Sequence, residues 1–147
     1  MQPGLEGLRA LTMAVRLKLR IRADDRVIDA VALLKSGFEA STPQLLIPVD
    51  IAKALNLWPP EDAHEVVLET AGGPLRAWFY PRKAVVKVVA GDAESREVLT
   101  DIIVSPIANE PLISDMLAGE LEIAVEDFGK GLWRFRWEQK LRKSERR

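Results

Sequence analysis

The chain has no cysteine and a single histidine, His64, among 147 residues. The first absence excludes disulfides, thiolate metal sites and cysteine nucleophiles together. It agrees with a reducing compartment, so a cytoplasmic location is expected. The second excludes His-rich metal centres, and His64, beside acidic residues and ahead of a strand-like run, reads as a surface imidazole. No apolar run approaches the ~18 residues needed to cross a bilayer, so no membrane partner is expected. Positions 1–15 lack a charged stretch followed by an apolar core, so no signal peptide is expected either. Gly-rich phosphate loops, metal-ligand clusters and nucleophile elbows are all missing, and neither a cofactor nor a metal site is expected.

What is present suits one globular domain with a core of its own, since 48% of the residues are hydrophobic. The net charge of -1 conceals an uneven distribution. Residues 1–22 carry five basic side chains against Glu6, and residues 130–147 carry eight against Glu138 and Glu145. The middle of the chain is correspondingly acidic. Basic ends on an acidic body have two readings: a footprint for nucleic acid, or ion pairing of the ends with the body.

Positions 1–12, with Pro3, Gly4 and Gly7, form an expected N-terminal arm. From Met13 the pattern alternates strictly, Val15, Leu17, Leu19 and Ile21 against Arg16, Lys18, Arg20 and Arg22. Period two with one charged face is a half-buried strand. A turn at 23–26 and a second strand over 27–34 complete a hairpin, which Gly37 breaks. Leu45-Leu46-Ile47 predicts a short buried strand, and Pro48 fits the first turn of a helix over 49–57. Strands are expected at 66–70, 75–80, 85–90 and 98–104, with turns at Gly72-Gly73-Pro74 and Gly91–Glu94. Ser114 predicts a helix N-cap, and Gly119 the end of that short helix. Leu121 to Glu126 and Leu132 to Trp137 alternate again. The second of these strands sets Trp133, Phe135 and Trp137 opposite Arg134 and Arg136, which makes the three aromatics core residues. Residues 138–147 form a basic tail, frayed or shortly helical. The expected architecture is mainly β, a closed antiparallel barrel or sandwich with one or two short helices.

Leu33-Leu34-Lys35-Ser36-Gly37 resembles the active-site loop of the retropepsin-like aspartic proteases, which reads apolar-apolar-Asp-Thr/Ser-Gly. Four further features follow in the family's order. They are Leu45-Leu46-Ile47-Pro48 with the helix after it, a flap hairpin with Gly72 and Gly73 at its tip, the apolar pair and helix start Leu112-Ile113-Ser114-Asp115-Met116-Leu117, and the final strand pair Val125–Trp133. The resemblance covers 13–137 and implies the acid-protease type of barrel. It also implies a homodimer, because that family builds one active site from two such loops. Two positions depart. Lys35 stands at the catalytic Asp, and Ser114 stands where the family has a glycine that lets helix and loop pack closely.

Aspartic proteolysis needs two carboxyls that share a proton. With Lys35 in both subunits neither carboxyl exists, so no catalytic residue is assigned and Lys35, Ser36 and Gly37 form a degenerate loop. The resemblance then implies a pseudoprotease, a homodimeric peptide- or protein-binding or structural module. Lys35, Gly72, Gly73, Ser114 and Asp115 are its candidate binding residues. In such a dimer two ammonium groups meet at the centre, where nearby carboxylates would neutralise them. A sharper version is a groove for an acidic peptide or a C-terminal carboxylate, closed by the 66–80 hairpin. Two alternatives stand beside it. One is a nucleic-acid-binding β-domain using basic strands 16–22 and 134–143. The other is an aspartic peptidase inactivated by substitution at Lys35.

Overall fold

Alternation at the start of the chain decides the first strand of the fold. In the computed structural model residues 14–34, 37–70 and 72–147 are described. The arm expected at 1–12, with Met13, Lys35, Ser36 and Ala71, lies outside the described residues. Strand β1 (Val15–Ala23) turns Val15, Leu17, Leu19, Ile21 and Ala23 fully inward. Each large aliphatic side chain buried in this way stabilises the fold by about 1.5–3 kcal/mol. A slip of one residue would bury Arg16, Lys18, Arg20 and Arg22 instead, so the register with β2 (Arg26–Leu34) is fixed.

The elements that follow are β3 (Gln44–Ile47), α1 (Val49–Ala54), β4 (His64–Thr70), β5 (Gly73–Val88), β6 (Val98–Val104), β7 (Leu112–Ile113), α2 (Asp115–Glu120), β8 (Ile123–Asp127), β9 (Leu132–Phe135) and β10 (Arg142–Lys143). The large sheet runs β1-β2-β7-β3-β6-β5-β4, and β1 also pairs with β5. That last pairing closes six strands into a barrel and leaves β4 outside it. A second sheet has the order β10-β9-β8. The fold is mainly β with a closed barrel, one extra strand and two short helices, as the composition of strand patterns implies. Two of its pairings are parallel, β2 with β7 and β3 with β6, within a mainly antiparallel arrangement. Both join strands far apart in sequence, where no hairpin turn dictates direction.

Inside the barrel, the inward side chains of β1 share one core cluster with Leu45 and Ile47 of β3, Val86 and Val88 of β5, Ile102 and Val104 of β6, and Leu117, Leu121 and Phe135. Strand β6 is buried along almost its whole length because β3 and β5 flank it on both edges. Its near-continuous apolar run reflects that central position.

Several local expectations are corrected. The strands expected at 75–80 and 85–90 belong to one sixteen-residue strand, β5, with a register shift between Tyr80 and Ala84. Pro81 sits in that bulge, and Arg82 beside it has φ of 48°. The buried Asp101 holds the bulge by accepting the Arg82 N–H at 2.7 Å. Pro48 is the residue before α1 rather than within its first turn. Gly119 lies within α2, whose C-cap is Leu121. Trp133 and Phe135 are buried, but Trp137 follows the end of β9 and is 52% exposed, stacked on Phe135 at 4.8 Å between ring centroids. The basic tail is neither frayed nor helical: β10 pairs with β9, Arg142 opposite Trp133 and Lys143 opposite Leu132. Beyond it the Ser144 N–H donates to Gly131 O and the Glu145 N–H to Arg16 O.

Candidate functional site: the crossing of two apolar strand ends

The short strand β7 lies between β2 and β3. It pairs in parallel with the end of β2, Leu33 opposite Leu112 and Leu34 opposite Ile113, and antiparallel with Leu45 and Leu46 of β3. The Leu33 N–H also donates to Pro111 O at 2.8 Å. Two apolar pairs separated by almost eighty residues therefore end side by side. One leads into Lys35-Ser36-Gly37 and the other into Ser114 and α2. Lys35 and Ser36 themselves lie outside the described residues. Gly37 has φ of 101° and open space where a Cβ would stand, so the position favours glycine for its backbone conformation, not for close packing.

Ser114 holds the frame together. It is fully buried, and its Oγ accepts the Leu117 N–H at 3.1 Å, which caps α2, and the Gln44 N–H at 3.0 Å. Its own N–H donates to Gln44 O. Where the resemblance implies a glycine, the serine hydroxyl thus bonds β3 to the helix start. Asp115, exposed beside it, accepts the Ala40 N–H at 2.9 Å and the Met116 N–H at 2.7 Å, while its N–H donates to Phe38 O. Together the two residues pin the segment after Gly37. Gly72 and Gly73 belong to a different place, the tip of the β4–β5 hairpin, where Gly73 pairs with Thr70. At the other end of that hairpin Trp78 packs edge-on against Trp58 at 5.4 Å between ring centroids.

Several carboxyl groups among the described residues are displaced from their ordinary titration. Carboxyl shifts there are downward: Glu65 beside Arg76, Glu94 beside Lys87, Asp29 beside Arg20, and Asp92 beside Arg142 and Lys140. A carboxyl serving as a general acid near neutral pH would have to be pushed upward. The Tyr80 phenol is raised, by burial first and then by Asp62 and Glu61. No group of His, Asp and Glu among the described residues could hold a metal ion. Two surface hollows, one lined by Arg96, Met116, Glu120 and Arg136 and the other by Trp58, Asp62, Tyr80 and Lys83, include none of the candidate binding residues.

Among the described residues many of the basic side chains at both ends are paired with carboxylates. Arg16 makes a two-pronged bond to Glu110, Arg20 another to Asp29, and Arg22 faces Glu97. Lys140 and Arg142 converge on Asp92, Arg142 also bonds Glu138, and Arg147 approaches Glu110. Arg134 bonds Glu126, and Arg136 donates to Gly119 O. These partners were not visible in the sequence because each pair except Arg142–Glu138 joins distant or cross-strand positions. Asp101 had a signal, a lone carboxylate inside the apolar run 98–104.

No protein-family model matches the chain, and no curated protein matches it. The resemblance to retropepsin-like proteases rests on the sequence motifs alone.

Proposed function

We propose that the chain is a retropepsin-like domain that has lost proteolysis and acts as a homodimeric peptide- or protein-binding module. The observation that supports this reading is the parallel pairing of Leu33-Leu34 with Leu112-Ile113. The two motifs that the resemblance assigns to one active-site frame, widely separated in sequence, are neighbours in a closed barrel. The segment after Gly37 is tied to Ser114 and Asp115 by four hydrogen bonds. Within such a frame Lys35 removes the shared-proton carboxyl pair that aspartic proteolysis requires. What remains in this reading is a scaffold for extended chains that carries a lysine in place of the carboxyl.

Sedimentation velocity over a concentration series tests the dimer, and charge pairing tests where its centre lies. Two Lys35 ammonium groups repel, whereas Lys35 opposite a glutamate attracts. Wild-type chain mixed with Lys35→Glu should therefore form mixed dimers in preference to either homodimer. A monomer at all concentrations, or random mixing, would overturn the reading. Restoring Lys35→Asp and assaying at acidic pH separates it from an inactivated peptidase, which would recover cleavage.

A further inference from the structure

Among the described residues strand β4 pairs with β5 alone, which leaves its other edge open. The register shows which groups it presents. On β6 the N–H groups of Asp101 and Ser105 are used on the β3 side, by Pro43 O and Ile47 O. Ile102 and Val104 therefore turn toward β5, and their partners Tyr80 and Trp78 turn toward β6. Glu65, opposite Trp78, must then point its N–H and C=O away from β5, and by alternation so must Val67 and Glu69. Pro74, opposite Glu69, agrees, since that position on β5 needs no N–H for β4. Three consecutive outward residues form a ready template for another strand.

Side chains define what can bind there. Glu65, Val67 and Glu69 share one face, and Val67 is 59% exposed. Segment 61–69 holds Glu61, Asp62, Glu65 and Glu69 with no lysine or arginine. Arg76 bonds Glu65 at 2.8 Å, but Glu69 has no ion pair among the described residues. A second copy of the chain fits poorly. Antiparallel self-pairing about Val67 would set Glu65 opposite the other Glu69 twice, and like charges in direct opposition are destabilising.

We propose that the open edge of β4 docks an extended segment of a different protein, added as an antiparallel strand with a basic-x-apolar-x-basic pattern. Its outward backbone groups bond those of Glu65, Val67 and Glu69. Its two cations face the carboxylates, and its apolar residue covers Val67. This goes beyond the pseudoprotease reading, because it needs neither the dimer nor the loop at 35–37.

The probe is the fluorescein-labelled nonapeptide Thr-Thr-Arg-Thr-Val-Thr-Arg-Thr-Thr, titrated with full-length chain and read by fluorescence anisotropy. Saturable binding is expected, with slowed amide exchange at Val67 and Glu69. Glu69→Lys should weaken it about tenfold and favour the peptide with glutamate in place of arginine. Val67→Pro removes an N–H that β5 does not use, so it should leave the thermal midpoint unchanged and weaken binding by more than about tenfold. If Val67→Pro disturbs folding, the exchanged peptide preference of Glu69→Lys decides alone. No saturable binding, unaltered binding by Glu69→Lys, or loss of binding with Lys35→Ala would overturn the proposal; the last outcome would assign the peptide to the loop at 35–37.

Discussion

Replacing Ser114 by alanine removes a single oxygen that answers two N–H groups, the part-buried one of Gln44 and the buried one of Leu117. At an exposed helix start water would take its place, and the loss would be about 1 kcal/mol. Here the side chain is fully buried, so both donors are left without a partner. A buried donor stripped of its acceptor costs about 1–3 kcal/mol. One of the two can relax toward the end of α2, which brings the expected loss for Ser114→Ala to roughly 2–3 kcal/mol. At about 2.1 cal/mol/K per residue, unfolding 147 residues gains about 0.3 kcal/mol/K, so the thermal midpoint should fall by roughly 6–10 °C. Urea denaturation followed by tryptophan fluorescence measures the free energy directly. Asp115→Ala serves as the comparison, because that carboxylate bonds Ala40 from an exposed position; it should lose about 1 kcal/mol or less. Ser114→Gly, which places there the residue implied by the resemblance, leaves the same two donors unanswered and should also be destabilising, though glycine is the better tolerated of the two at a helix N-cap. Faster amide exchange at Gln44 and Leu117, with the β1–β2 hairpin unaffected, would mark the mechanism. A loss under about 0.5 kcal/mol, or unchanged exchange at those two amides, would refute the claim that this hydroxyl holds the frame.

The tail and the start of β1 give further tests. Hydrogen bonds from Arg142 and Lys140 hold the Asp92 carboxyl well below the usual carboxylate range. A lowered folded pKa stabilises above the unfolded value of ~3.9, and the contribution fades as pH falls from there through the folded value. Docking of the tail should thus weaken in strong acid. Asp92→Asn should show the same weakening at pH 7, read from the fluorescence of Trp133, over whose ring Arg142 sits at 5.6 Å. Identical pH profiles for wild type and Asp92→Asn would contradict this. At the start of β1, the Arg16 and Glu110 side chains are only 19% and 10% exposed and bond at 2.9 and 3.1 Å. Either single alanine variant should lose about 1–3 kcal/mol, and the double variant clearly less than the two losses combined. Additive losses in a denaturation cycle would show that the pair is not coupled.

Local pattern and fold agree wherever a strand has one buried face. The alternation from Val15 to Ile21 and the hairpin with 27–34 became strands, because period two already states which side chains leave water. Ser114 was legible as a helix cap for a similar reason: its hydroxyl acts three residues away. Its bond to Gln44, seventy residues back, was not. Nor was the continuity of β5 through Pro81, since the bulge there depends on Asp101 from another strand.

The sequence by itself determined that this is a mainly β chain, which of its residues could form a core, and that Lys35 stands where the resemblance calls for a catalytic carboxyl. Tertiary structure alone decided that Leu33-Leu34 and Leu112-Ile113 end as parallel neighbours, and that β1 and β5 close the barrel. It alone settled the basic tail against Asp92 and Arg16. The reason is physical. Periodicity reports which face of a segment is apolar, but many partners can cover an apolar face equally well. Choosing among them takes the joint packing of all the strands, together with the buried hydrogen bonds and ion pairs that form only once distant segments meet.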